Sequence, residues 1–171
     1  KNLRSSEPLA AVRLFTAIYS NPALNWDKVS WLREQTRLPI LIKGILRADD
    51  ALQAAKSGAN GIIVSNHGGR QVDGATPTLH ALHEIRSALP KPFPILLDSG
   101  IRSGSDCFKA IAMGADAVLL GRPYAYGLAI ARRQGVHDVI LNLLSDFELT
   151  ARLAGCRNLA EINEEMIITN H

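Results

Sequence analysis

The sequence predicts an α/β fold built from repeated βα units, and two observations indicate it. Four short apolar runs are each followed by a helical pattern, as expected of buried strands alternating with helices. The stretch Asp50–Val64 also aligns with Asp106–Leu120 at one constant offset, so one helix–glycine–strand unit occurs twice. Repeated units of this kind form a parallel sheet with helices packed outside it.

The strands are expected where the apolar runs lie. They are Leu38–Lys43, Gly61–Ser65, Phe93–Asp98 and Ala117–Leu120. Ahead of the first strand, Asn25 is expected to cap a helix carrying Trp26, and residues 12–18 fit a short amphipathic helix.

The helices after the strands carry start and stop signals. Asp49 and Asp50 open the first of them and Gly58 ends it. Thr76 is predicted to cap the second, with Pro77 at its first helical position. The later boundaries are a start at Ser105-Asp106, a stop at Gly114, a start at Pro123, a separate helix over 136–147 and a short last one over 158–162.

Composition indicates one ordinary soluble domain. The 171 residues are 47% hydrophobic and 20% charged, and no apolar run approaches the roughly 20 residues that span a bilayer. Residues 1–6 do not resemble a secretory signal, and a net charge of +3 without basic runs argues against nucleic acid as a partner. Cys107 and Cys156 are isolated, as expected of reduced thiols in a cytoplasmic protein.

Four βα units amount to half of an eight-stranded barrel, which typically needs about 250 residues. A free half would expose two apolar sheet edges, so a partner is expected. Because the chain starts at Lys1, we expect a processed piece or a segment of something longer.

Polar groups follow all four strands, at the edge where barrel enzymes place their chemistry. These groups are Lys43, Ser65 with His67, Asp98 and Gly121 with Arg122. A lone histidine at a strand end is more often structural, and a lone Gly-Arg pair is usually a turn. Four such ends on one edge favour a functional site.

The turn after the second strand can serve one small ligand. His67 offers an imidazole base, and Arg70 offers a guanidinium that can bind a carboxylate. The turns Gly100–Gly104 and Gly121–Pro123 are typical of barrel phosphate sites, with Arg102 and Arg122 as added donors.

Asp98 can accept hydrogen bonds from ligand hydroxyls, so this end of the site suits a phosphorylated polyol such as the ribityl phosphate of FMN. Lys43 would stabilise an anionic reduced flavin. His80 and His83 lie three apart on a helix but have no third ligand, and we expect no metal site.

Four motifs together resemble the FMN-dependent family that oxidises 2-hydroxy acids, such as glycolate oxidase, lactate oxidase, lactate 2-monooxygenase and mandelate dehydrogenase. They are Ile42-Lys43-Gly44, Ser65-Asn66-His67-Gly68-Gly69-Arg70-Gln71, Asp98-Ser99-Gly100-Ile101-Arg102 and Gly121-Arg122-Pro123. The resemblance runs from about residue 26 to residue 162. It implies strands five to eight of a (β/α)8 TIM barrel, the C-terminal half.

The resemblance also implies a role for each matching position. His67 would be the catalytic base, and Arg70 with His67 would bind a small L-2-hydroxy acid. The implied FMN-binding residues are Lys43, Ser65, Asp98, Ser99, Gly100, Ile101, Arg102, Gly121 and Arg122. The implied partners are an N-terminal half-barrel of the same protein and further copies in a tetramer or larger, with no nucleic acid and no membrane.

The chain departs from the family in two ways. Many members carry Asp-Gly-Gly at Asp98-Ser99-Gly100, and the serine is acceptable if its backbone keeps a negative φ. The family's N-terminal half is absent, so residues 1–24 are interpreted as the end of a mobile loop with a lead-in, and 25–171 as the half-barrel. Segment 121–128 most resembles the lactate 2-monooxygenase branch.

Two other interpretations stay open at this point. The first is a half-barrel that binds phosphate or flavin without catalysis. The second is a different phosphate-binding barrel enzyme, which explains the last two turns but not His67 with Arg70.

Overall fold

The fold is a parallel four-stranded sheet with helices on one face, seen in a computed structural model that describes residues 8–19 and 21–168. The strands are β1 (Leu41–Ile45), β2 (Gly61–Val64), β3 (Ile95–Leu97) and β4 (Ala117–Val118), in the spatial order β1-β2-β3-β4. The α-helices are α1 (Pro8–Ile18), α2 (Trp26–Gln35), α3 (Ala48–Lys56), α4 (Thr78–Ala88), α5 (Gly104–Ala112) and α6 (Arg122–Leu153). Short 3₁₀ turns cover His67–Gly69, Leu159–Glu161 and Glu164–Met166.

The two faces of the sheet differ in burial. Ile62 and Val64 of β2 pair in register with Ile95 and Leu97 of β3, and all four are almost completely buried beneath the helices. The opposite face carries one row across all four strands, made of Lys43, Ile63, Leu96 and Ala117. That row is only partly covered, since Ile63 and Leu96 are half-buried while Lys43 and Ala117 are exposed.

The first strand differs from the prediction at both ends. It begins at Leu41 rather than Leu38, and it continues past Lys43 to Ile45 across a register irregularity at Gly44. Gly44 has a φ of +99°, a conformation that glycine tolerates and other residues avoid. Lys43 therefore lies inside β1 rather than at its end. The last strand is shorter than predicted and ends at Val118.

Several predicted helix boundaries are confirmed. Asn25 caps α2, since its side chain accepts a hydrogen bond from the Lys28 N–H. Gly58 and Gly114 follow α3 and α5 with φ values of +93° and +100°, as expected of residues that end helices. Residues 12–18 are helical, within an α1 that starts at Pro8.

Two helix boundaries were predicted wrongly, and one division was predicted correctly. Pro77 itself occupies the cap position of α4, so Thr76 lies outside it. α5 starts earlier, because Ser103 and Asp106 form a reciprocal capping box. The two helices predicted after β4 are confirmed, because the backbone of Ala131 and Arg132 is non-helical and divides α6 into two helices that meet at a kink.

The predicted division at residue 24 stays a prediction, since residues 1–7 and 20 lie outside the described part of the chain. Residues 1–6, which do not resemble a secretory signal in sequence, also lie outside it. Among the helices that the structure does describe, none combines the length and apolar character needed to cross a bilayer.

The internal repeat has a structural basis at the amino ends of the strands. Arg86 lies over the turn that ends α5, where its Nε donates to Gly114 O at 2.8 Å and its Nη2 to Asp116 Oδ2 at 2.6 Å. The same carboxylate oxygen accepts the Ile95 N–H at 2.8 Å. Arg86 is largely buried, and its Nη1 also donates to the carbonyls of Leu89 and Phe93.

The first copy of the repeat uses an amide in the same place. Asn60 Oδ1 accepts from Arg33 Nη1 at 2.8 Å and from the Ile40 N–H at 2.9 Å. In both copies of the repeat, Gly58-Ala59-Asn60 and Gly114-Ala115-Asp116, the last side chain therefore connects an arginine to the start of a strand just after a helix ends.

Replacing Arg86 with methionine is expected to destabilise the protein by about 3 kcal/mol, because three carbonyls lose their Arg86 donor and the Asp116 carboxylate loses its nearest cation. Urea unfolding of both proteins measures the difference. Arg152→Met is the matched control, since its ion pair with Glu148 is exposed on α6 and should be worth less than about 1 kcal/mol. Equal losses in the two variants would contradict the buried-anchor interpretation.

Candidate active site

Polar side chains from three strands form one connected group at the carboxyl edge of the sheet. Lys43 Nζ donates to Ser65 Oγ at 2.7 Å and pairs with Asp98 Oδ2 at 2.7 Å. Ser99 Oγ donates to the other oxygen of Asp98 at 2.7 Å. The structure therefore brings together Lys43, Ser65 and the pair Asp98-Ser99, which the sequence placed at the ends of three different strands.

The Asp98 carboxylate is held in its charged form. Burial raises the pKa of this carboxyl, but hydrogen bonds from Lys43, Ser65 and Ser99 outweigh burial, so the pKa lies below its ordinary value. A negative group fixed beside Lys43 can accept ligand hydroxyls and holds the ammonium in place.

This pKa shift predicts an acid-sensitive contribution to stability. Because the folded pKa of Asp98 is depressed, its contribution is complete above about pH 5 and is lost as pH falls through the folded value. The difference in melting temperature between the native protein and Asp98→Asn should therefore be largest near neutral pH and shrink towards pH 3. A difference that stays constant over this range, measured by calorimetry, would count against the ion pair.

The turn after β2 holds a left-handed backbone through three successive residues. His67, Gly68 and Gly69 have φ values of +56°, +69° and +72°. The Ser65 hydroxyl accepts the His67 N–H at 3.1 Å, and the Asn66 side chain accepts the Gly68 N–H at 3.1 Å. These hydrogen bonds hold the backbone of His67 in a region that a residue with a side chain disfavours, as is often seen at functional sites.

Gly44 is a site residue that the sequence analysis quoted in a motif without giving it a role. A Cβ atom at this position would lie 2.9 Å from His67 Nε2. The imidazole thus lies directly over the β1 backbone, and any side chain at 44 would displace it. The signal was the glycine directly after Lys43, which the strand pattern alone does not require.

Arg70 lies beside His67 in the same cleft. Its Nε donates to the His67 carbonyl at 3.3 Å, and both residues line a cleft of about 380 Å³. The guanidinium is exposed, so its remaining N–H groups can reach a ligand that contacts the imidazole. The structure therefore brings together His67, the predicted base, and Arg70, the residue predicted to bind a substrate carboxylate.

The two predicted phosphate turns line the same cleft. Gly100, Ile101, Arg102, Gly121 and Arg122 all line it. A Cβ atom at Gly100 or Gly121 would meet no heavy atom within 4 Å, so the backbone here is open to a ligand. Arg122 Nη2 donates to Gly68 O at 2.9 Å, so the turn after β4 contacts the turn that carries His67.

The two helix N-termini beside the cleft are not equivalent. At α5, Asp146 accepts the Gly104 and Ser105 N–H groups and Asp106 accepts those of Arg102 and Ser103, so an anion there would meet two carboxylates.

The N-terminus of α6 begins at Arg122 and has no side-chain cap. The N–H groups of this first turn, apart from Pro123, which has none, and its positive dipole end suit a phosphate. The residues therefore fit FMN, whose phosphate would lie at Gly121 and Arg122 in the cleft that Arg102, Lys43 and Asp98 also line.

Ser99 does not meet the condition of a negative φ under which a serine was expected to be acceptable. Its φ is +72°. The physical reason is that a left-handed residue turns the chain out of β3 while the serine hydroxyl bonds to Asp98 and to the Gly68 N–H, at 2.7 Å and 3.0 Å. These two hydrogen bonds offset part of the conformational cost.

The two helix histidines lie on α4, away from the cleft. His80 Nε2 is 3.7 Å from Glu84, and His83 Nδ1 is 3.0 Å from Glu164. Within residues 8–19 and 21–168, no group of three histidine, cysteine or carboxylate side chains could hold a metal ion.

The fold is part of a βα barrel, and its cleft brings a histidine beside an arginine together with an uncapped helix N-terminus. Residues 2–169 match the family model described as FMN-dependent dehydrogenase. The chain belongs to this family, which confirms the resemblance and establishes FMN as the family's cofactor.

Named relatives agree with this assignment. The chain is 47% identical over 150 residues to 2-hydroxyacid oxidase 1 of Mus musculus, covering 88% of this chain and 40% of that one. It is 48% identical over 147 residues to L-lactate oxidase of Nostoc sp., covering 86% and 40%.

Among solved structures, the chain is similar to one described as the monotopic membrane protein (S)-mandelate dehydrogenase. The TM-score is 0.89 at 35% identity, covering 99% of this chain and 45% of that one. The chain therefore spans less than half the length of these relatives, and its α/β fold is part of their barrel.

Proposed function

We propose that the chain is part of an enzyme that uses FMN to oxidise a small, lactate-like L-2-hydroxy acid. The product would be the 2-oxo acid or its decarboxylation product, and the electrons would pass to oxygen or another acceptor. The observation that carries this proposal is the cleft itself, which is lined by His67 and Arg70 on one turn and by the uncapped N-terminus of α6. The names of the relatives, a 2-hydroxyacid oxidase and an L-lactate oxidase, support the same substrate class.

Each residue has one task in this proposal. Arg70 binds the substrate carboxylate through its exposed guanidinium. His67 is the catalytic base and takes a proton from the substrate, either from the α-carbon or from the hydroxyl. FMN, when bound, accepts the two electrons that leave the substrate.

The remaining cofactor-binding residues hold and tune the flavin end of the cleft. Lys43 supplies a fixed positive charge, and Ser65 and Asp98 hold it in place by direct contacts. The turn Ser99–Arg102 together with Gly121 and Arg122 would bind the ribityl chain and the phosphate.

The test of the proposal is anaerobic flavin reduction. The complete barrel, loaded with FMN and mixed with L-lactate, glycolate or (S)-mandelate, should lose its oxidised-flavin absorbance with at least one acid and with no D-isomer. A protein that retains FMN but is bleached by none of them would instead be the non-catalytic flavin-binding half-barrel.

Changing Arg122 to glutamate is expected to weaken FMN far more than riboflavin, because the substitution acts at the uncapped α6 N-terminus where the phosphate would lie. Fluorescence titration of the apoprotein with both ligands measures the two affinities. Arg133→Glu, on an exposed position of α6, is the control and should leave both unchanged. Equal losses for the two ligands would argue against a phosphate at this helix end.

We also propose an N-terminal half-barrel of the same protein as the partner of this chain. Within the described residues, β1 pairs only with β2 and β4 only with β3, and the inward row of side chains is only partly covered. A second set of four strands would satisfy both edges and cover this row. Co-expression of the two halves should give a soluble complex that binds FMN. A chain of residues 1–171 that is soluble, monomeric and active alone would contradict this partner.

For the whole protein we propose a cytoplasmic oligomer, a tetramer or larger, that binds neither nucleic acid nor membrane. The modest net charge and the two reduced, buried thiols support this proposal. The mandelate dehydrogenase neighbour is described as monotopic, so sedimentation with and without lipid vesicles is the measurement that decides.

A further inference from the structure

Ser99 occupies a backbone conformation that its side chain disfavours. Its φ is +72°, and the next residue, Gly100, has a φ of +90°. A side chain in this region carries a conformational cost that glycine does not. The contacts of the hydroxyl show what this side chain contributes.

The hydroxyl of Ser99 joins the end of β3 to the turn after β2. It donates to Asp98 Oδ1 at 2.7 Å and accepts the Gly68 N–H at 3.0 Å. The backbone of Ser99 is itself held, because the buried Thr78 hydroxyl donates to the Ser99 carbonyl at 3.0 Å. The hydroxyl is therefore a fixed acceptor.

The peptide that Ser99 contacts is the one between His67 and Gly68. Its N–H is shared between Ser99 Oγ and the Asn66 side chain, at 3.0 Å and 3.1 Å. Its carbonyl accepts Arg70 Nε at 3.3 Å. A rotation of this peptide would tilt the imidazole and release the guanidinium at the same time.

We propose that Ser99 is a positioning residue whose hydroxyl fixes the His67–Gly68 peptide and, through it, both the imidazole of His67 and the guanidinium of Arg70. The inference rests on the proposed function and deepens it. It makes a residue after β3 responsible for the relative positions of the base, His67, and the carboxylate-binding Arg70. Asp98 orients the hydroxyl by accepting its hydrogen bond, which leaves the lone pairs of the serine oxygen for the Gly68 N–H.

Two substitutions separate the hydroxyl from the backbone cost. Ser99→Ala removes the hydroxyl and keeps the strained conformation, whereas Ser99→Gly removes both. In the flavin-loaded, complete barrel, both variants should slow the limiting rate of anaerobic flavin reduction about five- to tenfold, the effect of one lost hydrogen bond. The substrate dissociation constant from the same stopped-flow series should rise as well, because Arg70 loses its fixed support.

Stability should follow a different order from activity. Ser99→Gly should melt at a higher temperature than Ser99→Ala, because glycine relieves the strain. Ser87→Ala, which removes the exposed α4 hydroxyl that bonds the His83 carbonyl, is the control and should reduce its flavin at the native rate. A merely structural serine would change the melting temperature and leave the reduction rate at its native value.

A second measurement does not depend on activity. Hydrogen exchange at the amide of Gly68, followed on peptides covering residues 66–71, should be faster in both variants than in the native protein. Unchanged exchange, or flavin reduction at native rates in either variant, would overturn the inference. An unsubstituted protein that no 2-hydroxy acid can reduce would contradict the proposed function instead, and the exchange result would still decide the role of Ser99.

Discussion

Replacing His67 with alanine is expected to abolish substrate oxidation while FMN stays bound. The loss of a general base typically costs about 10² to 10⁴ in rate. The flavin should stay because the phosphate end, at Gly121 and Arg122, is on a different turn. Anaerobic stopped-flow measures the bleaching of the flavin, and the visible spectrum before mixing shows that the cofactor is retained.

A second substitution protects this test against a backbone effect. His67 has a φ of +56°, and asparagine tolerates that conformation better than alanine does. His67→Asn should therefore fold at least as well as the alanine variant and be equally slow. His80→Ala, on the exposed face of α4, is the control and should reduce its flavin normally. Near-native reduction in both His67 variants would refute the assignment of the base.

Replacing Arg70 with lysine is expected to lower kcat/KM by about 10²-fold, although the charge is kept. A guanidinium binds a carboxylate through two parallel hydrogen bonds, and an ammonium cannot reproduce them. The lysine would also lose the bond from Arg70 Nε to the His67 carbonyl, so the substrate would sit in a poorer geometry for proton transfer. Steady-state kinetics with L-lactate, or with the best substrate found, measures the effect.

The prediction has one control variant and one comparison of substrates. Arg152→Lys changes an exposed arginine on α6 and should leave kcat/KM unchanged. The native enzyme should discriminate strongly against the amide of its own substrate, since an amide cannot accept two charge-assisted bonds. Equal oxidation of the acid and the amide would show that Arg70 does not bind a carboxylate.

Much of the fold could be predicted because it depends on local rules. Apolar runs of four to six residues marked the strands, and the glycines at 58 and 114 marked helix ends because only a residue tolerant of positive φ ends a helix there. Boundaries were less accurate where two local signals competed. Ser103 and Ser105 both resembled a cap, and the reciprocal bond to Asp106 decides for Ser103.

The candidate site was predictable as a set of residues but not as a geometry. Alternating strands and helices place every strand end on one edge, so His67, Arg70, Asp98 and Arg122 could be grouped from the sequence alone. The sequence alone could not show which helix N-terminus, that of α5 or that of α6, is open to a phosphate. Only the packing of α6 on α5 brings Asp146 onto the N-terminus of α5 and so directs an anion to α6.

The sequence by itself determined the α/β class, the family and the residue types of the chemistry, because periodicity, turn glycines and short motifs are local properties. The tertiary structure alone decided which atoms meet. The ion pair of Lys43 with Asp98, the place of Gly44 under the imidazole and the left-handed Ser99 bound to the Gly68 N–H all join residues from different strands. Such contacts depend on strand register and on one bulge at Gly44, and a side-chain pattern along the chain does not encode the distance between two strands.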